Sequence, residues 1–368
     1  MKIIISAGGT GGHIFPAIAV ADALKKQDPT VEILFIGAEG KMEMERVPKA
    51  GYTIEGLPIT GFQRRLTVQN IIKNIQLIYK LPLSIFRVKG IIRRFKPDVV
   101  VGFGGFASGP TLKAAAGMGI PTILQEQNSY AGVTNKLLAE KAKVICVAYE
   151  GMEKFFPKEK IILTGNPVRS DILDIQTKKA EGLAYFGLDK NKKTIAILGG
   201  SLGAKTLNVA MSENAQLIEN QQDVQILWQC GRLYEEDFKD CKTAKLHNVQ
   251  MRPFIDRMDL AYACADVIVA RAGALTVSEL CLAGGPSVFV PSPNVAEDHQ
   301  TKNAMALVNK DAAVLVKDVE ANAKMIQEAL NILRNDTLRN TLKTNILTLG
   351  KPNAALDIVA EIRRVVSR

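Results

Sequence analysis

Cysteine is scarce in this 368-residue sequence, and no two cysteines are spaced as a pair. The five stand at positions 146, 230, 241, 264 and 281, without a Cys-x-x-Cys motif. An odd, scattered set argues against a disulfide framework or a zinc site. We expect reduced thiols that serve as core residues in a cytosolic compartment.

Long apolar runs are also absent. No uninterrupted run approaches the ~18–20 residues that a membrane span requires. The opening MKIIISAGG is too short for a signal peptide, because glycines follow the three isoleucines directly. We therefore expect a protein that is made and kept inside the cell, which leaves room for attachment to a membrane surface.

Acidic residues are missing from residues 56–97, which we call the basic apolar segment, in a chain of net charge +10. Cations beside apolar residues suit anionic lipid headgroups, so the segment predicts a membrane-docking surface, although a helix within it must bury one face. Nucleic-acid binding is the competing interpretation, which an aromatic content of 6% and the lack of a binding motif disfavour. The cations are Arg64, Arg65, Lys73, Lys80, Arg87, Lys89, Arg93, Arg94 and Lys96.

Short β-branched runs alternate with amphipathic stretches, which predicts parallel sheets covered by helices on both faces. The predicted strands of the first half are 2–6, 31–37, 98–102, 121–125, 144–147 and 160–164, and the predicted helices are 17–26, 111–118 and 135–140. The strand pattern restarts at KTIAILGGS (193–201), and a second series predicts strands at 224–229, 249–252, 267–270, 287–290 and 313–316.

Two such series in one chain predict an α/β protein of two doubly wound, Rossmann-like domains. The predicted domains are residues 1–166 and 167–352. A terminal helix is predicted within residues 353–368, and the first domain is one possible place for it. Ligands of such sheets bind beyond the carboxyl ends of the strands, so a cleft between the domains is the expected site.

Three glycine-rich loops follow apolar runs: AGGTGGH (7–13), GFGGFASGP (102–110) and LGGSLGAKT (198–206). Glycine permits close backbone approach, and a helix N-terminus presents unpaired N–H groups to phosphate oxygens. A tight turn explains any one of these loops, but three together favour phosphate binding. The third loop is not a P-loop, because Ala204 stands where a P-loop has glycine.

His13 is one of only three histidines in the chain. At a helix N-terminus the dipole disfavours imidazolium, so the ring tends to remain neutral and able to accept a proton. A capping role is the alternative, and we favour a functional one.

Taken together, GGTGGH, GFGGFASGP, QEQN (125–128), GNPVR (165–169), GGSLGAK (199–205) and RAGALTVSE (271–279) resemble the MurG family. Its members are undecaprenyldiphospho-muramoylpentapeptide β-N-acetylglucosaminyltransferases of peptidoglycan synthesis. The family resemblance implies an inverting transferase of the GT-B architecture, with two Rossmann-like domains facing across a cleft.

The resemblance implies that the second domain binds the donor, UDP-N-acetylglucosamine (UDP-GlcNAc). Glu279 is similar to the family's ribose ligand, and Phe254 and Ile255 match the segment that holds the uracil. The amides of Ala274, Leu275 and Thr276, with Arg271, are expected to stabilise the leaving diphosphate. The remaining donor residues implied are Thr10, Gly11, Gly12, Asn128, Arg169, Ser201, Gln300 and Asn303.

The resemblance assigns the first two glycine loops to the lipid-linked acceptor, lipid I, which carries its own diphosphate. The acceptor residues implied are Gly8, Gly9, Gly104, Gly105 and Asn135. The muramoyl C4 hydroxyl must lose a proton as it attacks the sugar. His13 is the first candidate for the base and Glu126 the second. Leu202, Gln125 and Phe106 depart from the family pattern, which puts side-chain roles at those positions in doubt.

The chain lacks an Asp-x-Asp pair to present a metal to the donor diphosphate, so neither a tightly bound metal nor another cofactor is expected. The expected partners are UDP-GlcNAc, lipid I and an anionic membrane surface, not nucleic acid. We expect the protein to lie peripherally at the cytoplasmic face of the bacterial cell membrane, where other cell-wall synthesis proteins are possible partners. The alternatives are another GT-B protein, such as a lipid glycosyltransferase or a UDP-GlcNAc 2-epimerase, and a non-catalytic UDP-sugar sensor.

Overall fold

The structure, a computed structural model, describes residues 1–61, 67–200 and 202–367. Three of the predicted functional residues, Arg64, Arg65 and Ser201, lie outside the described residues. The chain divides into two compact units, Met1–Arg169 with Pro352–Arg368 and Ser170–Lys351. The first unit is therefore built from two separate stretches of chain.

The first unit is a seven-stranded parallel sheet in the order β3-β2-β1-β4-β5-β6-β7. Its strands are β1 (Lys2–Ser6), β2 (Glu32–Ala38), β3 (Thr53–Leu57), β4 (Val99–Gly102), β5 (Thr122–Glu126), β6 (Val144–Val147) and β7 (Ile161–Leu163). Its helices are α1 (Gly11–Gln27), α2 (Glu43–Lys49), α3 (Val68–Phe95), α4 (Ser108–Gly117), α5 (Val133–Leu138) and, from the end of the chain, α15 (Ala354–Val366).

Both faces of the first sheet are buried, because neighbouring residues of a strand point to opposite sides. Ile3 and Ile5 of β1 join one apolar cluster with residues of α1 and α15. Ile4, between them, joins a second cluster with residues of α3 and α4. The terminal helix α15 packs against α1 within the first unit.

The second unit is a six-stranded parallel sheet in the order β10-β9-β8-β11-β12-β13. Its strands are β8 (Lys193–Leu198), β9 (Val224–Gln229), β10 (Val249–Arg252), β11 (Val267–Ala270), β12 (Ser287–Phe289) and β13 (Val314–Leu315). Its helices are α6 (Lys179–Phe186), α7 (Lys205–Glu213), α8 (Ala215–Glu219), α9 (Glu235–Phe238), α10 (Met258–Cys264), α11 (Ala274–Ala283), α12 (His299–Val308), α13 (Ala321–Arg334) and α14 (Asp336–Thr348).

The strand order reverses direction between β1 and β4 in the first unit and between β8 and β11 in the second. Such reversal points open a crevice beyond the carboxyl ends of the strands, where the α/β fold binds its ligands. The three glycine loops begin at three of these four strand ends, those of β1, β4 and β8. The predicted α/β class with two Rossmann-like domains is confirmed.

Helix α3 carries much of the basic apolar segment. Among the helices in the described part of the chain, neither α3 nor any other is long and apolar enough to cross a bilayer.

Candidate active site

The first two glycine loops interlock at the end of the first sheet. Ser6 of β1 pairs in register with Gly102 of β4, which brings the residues that follow them side by side. Gly105 has a φ of +85°, and a Cβ at this position would lie 2.1 Å from the carbonyl oxygen of Gly8. Glycine is therefore required where the two backbones touch, and the predicted residues Gly8, Gly104 and Gly105 are neighbours.

His13 lies in the first turn of α1, half-buried between these loops. Its Nδ1 is 3.0 Å from the carbonyl oxygen of Gly8 and 3.3 Å from the hydroxyl of Thr10. A carbonyl oxygen only accepts hydrogen bonds, so Nδ1 carries the proton and Nε2 is the basic nitrogen of the neutral ring. A Cβ on Gly104 would lie 3.0 Å from Nε2, which places the basic nitrogen against the second loop.

Glu126, at the end of β5, is 2% exposed and accepts four hydrogen bonds. One carboxylate oxygen accepts from the backbone and side-chain nitrogens of Asn128, at 3.1 and 3.3 Å. The other accepts from the Gly132 amide and from Nδ2 of Asn135, both at 2.9 Å. This carboxylate orders the loop after β5, and its lone pairs are occupied, so the geometry favours His13 over Glu126 as the base.

Amide side chains extend this polar network beneath the loop. Gln125 donates from Nε2 to Asn166 at 2.9 Å, and Asn166 donates to the carbonyl oxygen of Gln127 at 2.9 Å. Gln127 donates to the carbonyl oxygen of Phe103 at 2.8 Å, which ties the network to the second glycine loop. Gln125 thus has a structural role in place of the side chain that the family pattern prefers there. Asn166 belongs to the GNPVR segment (165–169). This segment ends at Arg169, which is half-buried at the last position before the chain enters the second unit.

Glu43 is a residue of this site that sequence reasoning does not select. It begins α2, is fully buried, and accepts hydrogen bonds from the amides of Gly9 (3.0 Å) and Ala38 (2.9 Å). Its place in GKMEMER looks like an ordinary charged helix residue. Only the fold brings it behind the first glycine loop.

The third glycine loop, after β8, is held by the loop and strand beside it. Gly203 has a φ of +85°, and a Cβ on Gly231, after β9, would lie 2.1 Å from its Cα atom. The side chain of Gln229 accepts from the Gly200 amide at 3.2 Å. This loop therefore rests on a neutral side chain, with Leu202 60% exposed at its tip.

Helix α11 begins at Ala274, as the resemblance implies for a diphosphate site. Val277 is the first residue to donate back into the turn, to the carbonyl oxygen of Gly273 at 2.9 Å. The amides of Ala274, Leu275 and Thr276 have no acceptor within the helix, which is the general condition of a helix start. The first turn holds no acidic residue, so it is suited to an anion.

Arg271 stands directly after β11 and is paired with a carboxylate. Its Nη1 donates to the carbonyl oxygen of Val290 at 2.8 Å and to Asp318 at 2.5 Å. The second oxygen of Asp318 accepts from the hydroxyl of Thr206 at 3.0 Å. Arg271 is thus held in a fixed orientation, and part of its charge is balanced by Asp318, which sequence spacing could not reveal.

Glu279, on the second turn of α11, is 7% exposed and accepts a hydrogen bond from the hydroxyl of Tyr262 at 2.8 Å. Gln300 and Asn303, on α12, stabilise neighbouring loops. Gln300 accepts from the Ser292 amide at 2.9 Å, and the fully buried Asn303 donates to the carbonyl oxygen of Ala272 at 3.3 Å. Their predicted contact with the donor stays a prediction.

The backbone immediately before α12 is strained. Glu297 and Asp298 have φ values of 56° and 49°, in the left-handed region that side chains disfavour. Such strain concentrates at ligand sites, where the surrounding structure holds it in place. Here the Nζ of Lys302 donates to the carbonyl oxygen of Glu297 at 2.8 Å, and Thr301 donates to Asp298 at 2.7 Å.

Phe254 and Ile255 follow β10, at the carboxyl ends of the strands of the second sheet. Ile255 is 4% exposed, whereas Phe254 is half-buried. The guanidinium of Arg232, after β9, lies 4.3 Å from the centre of the Phe254 ring. The segment predicted to hold the uracil therefore has a cation stacked on it.

None of the five cysteines is among the residues predicted to act in this site. All five are free thiols and four are buried. Burial raises the pKa of Cys230 to about 11 and those of Cys264 and Cys281 to about 12. In the part of the chain that the structure describes, no three His, Cys, Asp or Glu side chains are grouped to hold a metal ion.

Two family models match the chain. The glycosyltransferase family 28 N-terminal domain matches residues 3–147, and the family 28 C-terminal domain matches residues 194–358. The relative from Flavobacterium psychrophilum is 53% identical over 99% of this chain and 98% of its own length. It is named UDP-N-acetylglucosamine--N-acetylmuramyl-(pentapeptide) pyrophosphoryl-undecaprenol N-acetylglucosamine transferase. The chain belongs to glycosyltransferase family 28, among these transferases.

Further relatives and solved structures are similar to this chain. A Bacteroides fragilis relative of the same name is 52% identical over 100% of this chain and 96% of its own length. The crystal structure of Acinetobacter baumannii MurG is 31% identical, with a TM-score of 0.78, and the match covers 99% of each chain. A Neisseria meningitidis UDP-GlcNAc 2-epimerase, 17% identical with a TM-score of 0.69 over 99% of this chain and 100% of its own, shares the fold alone.

Proposed function

We propose that this glycosyltransferase moves N-acetylglucosamine from UDP-GlcNAc to the C4 hydroxyl of the muramoyl unit of lipid I, with inversion at C1. The observation that carries the proposal is the placement of the His13 ring. Its Nδ1 is anchored on the Gly8 carbonyl, and its Nε2 faces the second glycine loop at the reversal point of the first sheet. A base so placed serves an acceptor bound at these loops.

The reaction is a single in-line displacement. Nε2 of His13 takes the proton of the C4 hydroxyl as its oxygen bonds to C1 of the donor sugar. The bond from C1 to the diphosphate breaks, and UDP leaves with the electron pair. The amides that begin α11, together with Arg271, stabilise the charge that develops on the diphosphate, since they need no reorganisation during the reaction.

Relatives named for this transfer, together with the two family 28 domains, support the choice of substrates. The test is to incubate the purified chain with labelled UDP-GlcNAc and a short-chain lipid I analogue. We expect a labelled disaccharide-lipid product. Folded protein that binds UDP but forms no product would overturn the proposal in favour of a UDP-sugar sensor. Formation of free UDP-N-acetylmannosamine would instead identify an epimerase.

The same proposal includes docking on an anionic membrane surface through α3. Four large apolar side chains of this helix point to solvent: Ile78 (74% exposed), Tyr79 (57%), Leu83 (50%) and Phe86 (73%). Helical spacing places them on one side of α3. Val88, Ile91 and Ile92, on the opposite side, are buried in the core. An exposed apolar stripe of this size on a basic helix suits a lipid interface.

Two of the predicted docking cations are already paired. Arg87 lies 2.7 Å from Glu39, and Arg94 contacts Glu55. The apolar stripe is therefore the sharper target. Ile78→Glu and Phe86→Glu should each weaken binding to phosphatidylglycerol vesicles. Tyr185→Glu, at an exposed aromatic residue of α6 in the second unit, is the matched control. Equal vesicle binding by all three variants would contradict a docking role for α3.

A further inference from the structure

Glu43 is a buried carboxylate whose partners are backbone amides. Its side chain is fully buried, and each oxygen accepts one N–H bond, from Gly9 to Oε2 and from Ala38 to Oε1. Among the ion pairs of the described residues, none includes it. Burying a carboxylate without a cation is costly, so its amide partners must hold it firmly in place.

Two glycines make room for this side chain. A Cβ on Gly8 would lie 2.2 Å from Oε1 of Glu43, and a Cβ on Gly37 would lie 2.5 Å from its Cγ. Neither glycine has a positive φ. The turn does not explain these two glycines, but the carboxylate does, so part of the GGTGGH motif accommodates Glu43 and not a phosphate.

One peptide group connects Glu43 to His13. The N–H of Gly9 donates to Glu43 at 3.0 Å, and the carbonyl oxygen of Gly8 lies 3.0 Å from Nδ1 of His13. These two groups belong to the same planar, trans peptide, where they point in opposite directions. The carboxylate, the peptide and the imidazole therefore form a chain in which each bond orients and polarises the next.

We propose that Glu43 is a positioning residue for His13, acting through the Gly8–Gly9 peptide. It holds the peptide so that the Gly8 carbonyl fixes the tautomer with the proton on Nδ1. It also supplies negative charge behind the imidazolium that forms when Nε2 takes the acceptor proton. This inference rests on the proposed function, in which His13 is the base.

Glu43→Gln tests the inference with little change in shape. The amide side chain has one acceptor oxygen for two N–H donors and no charge. We expect kcat to fall about 10- to 100-fold while the KM for UDP-GlcNAc stays within about twofold. Glu45→Gln, on the exposed side of α2, is the matched control and should behave like the wild type.

A double-mutant cycle separates positioning from a merely structural role. In a His13→Ala background, Glu43→Gln should lower kcat less than about threefold, because residues that act as a unit are not additive. The same loss of kcat in both backgrounds would overturn the inference. So would an unchanged kcat in the single variant.

The three histidines allow a direct readout that does not depend on turnover. Ring-nitrogen NMR of isotope-labelled histidine should show the Nδ1-protonated tautomer of His13 in the wild type and a mixture in Glu43→Gln. Should Glu43→Gln fail to fold, Glu43→Asp is the second variant, and it should also give a mixture, because its shorter side chain draws the carboxylate away from the Gly9 amide. An unchanged tautomer in a folded variant contradicts the inference. A wild-type kcat in His13→Ala would instead refute the base assigned in the proposed function.

Discussion

The two units place glycine loops at the same point of the same kind of sheet, yet they hold them in opposite electrostatic settings. Behind the first loop lies a buried carboxylate, Glu43, and His13 is anchored on the loop through the Gly8 carbonyl. The third loop rests on the neutral Gln229, and beside it lie a helix start without acids and Arg271, whose charge is balanced only in part by Asp318. In the proposed reaction, the first unit accepts a proton and the second receives negative charge.

This difference corresponds to the two halves of a glycosyl transfer. The acceptor hydroxyl must lose a proton, whereas the donor diphosphate must leave as an anion. A glycine-rich turn is common to both halves and so does not distinguish them. The residues that pack behind each loop distinguish the two halves.

The largest expected effect is that of His13→Ala. If the first unit supplies the base, kcat should fall about 10³-fold, since general-base catalysis contributes that order of rate. UDP affinity, measured by calorimetry, should remain near the wild-type value. A large loss of UDP affinity would place His13 on the donor side and break the comparison. His247→Ala, at a histidine of the second unit outside the proposed machinery, is the control.

Arg271→Ala should have the next largest effect, on the donor side. We expect kcat/KM for UDP-GlcNAc to fall about 10²-fold, as for other groups that stabilise developing charge. The KM for the acceptor should not change. Asp318→Asn, which keeps the cation but loosens its orientation, should cost about tenfold. Equal losses in the two variants would show that orientation, and not charge, is what Arg271 contributes.

Glu126→Gln sharpens the choice of base within the first unit. The new amide group faces N–H donors, so we expect a loss of about 1–3 kcal/mol in the free energy of unfolding. The acceptor KM should rise about tenfold, with kcat within a few-fold of the wild type, because the loop and not the base is perturbed. Glu140→Gln, at an exposed carboxylate, is the control. A fall in kcat of about a hundredfold or more, as expected when a general base is lost, would instead identify Glu126 as the base.

The prediction with the smallest expected effect on activity concerns the acid stability of the second unit. A hydrogen bond from Arg257 holds the pKa of Asp259 well below its usual range, and Lys178 adds a second bond. A depressed pKa contributes stability that is present at neutral pH and lost below about pH 4, where the unfolded carboxyl takes up its proton. Asp259→Asn should therefore flatten the acid limb of unfolding.

The sole tryptophan, Trp228, is buried in the second unit and reports this unfolding by fluorescence. An acid limb equally steep in the wild type and in Asp259→Asn would assign the loss of stability to other carboxylates.

Much of the fold can be predicted because buried parallel strands are continuous apolar runs. The predictions for β1, β6, β9, β10 and β11 match the observed bounds, and most of the others differ by one residue or two. The apolar pattern does not predict strand β3, since Glu55 and Gly56 interrupt it at the edge of the sheet. Helix α1 begins at Gly11, earlier than predicted, because glycines hide the helical period there.

The site is less predictable, because its contacts join residues far apart in the chain. That α11 begins at Ala274 follows from local sequence. The carboxylate of Asp318 against Arg271, and that of Glu43 behind Gly9, depend on strand order and register. No spacing rule encodes these pairs, so sequence patterns identify the loops but not the groups that hold them.

Helix α15 has a consequence for how the chain is made. Ile358, Val359 and Ile362 are fully buried against the first unit, whose other residues all precede position 170. The second unit is a single continuous stretch. During synthesis its residues can fold while the first unit still lacks one wall of its core. Completion of the first unit thus waits for α15 to leave the ribosome, so the unit whose synthesis begins first is completed after the second unit.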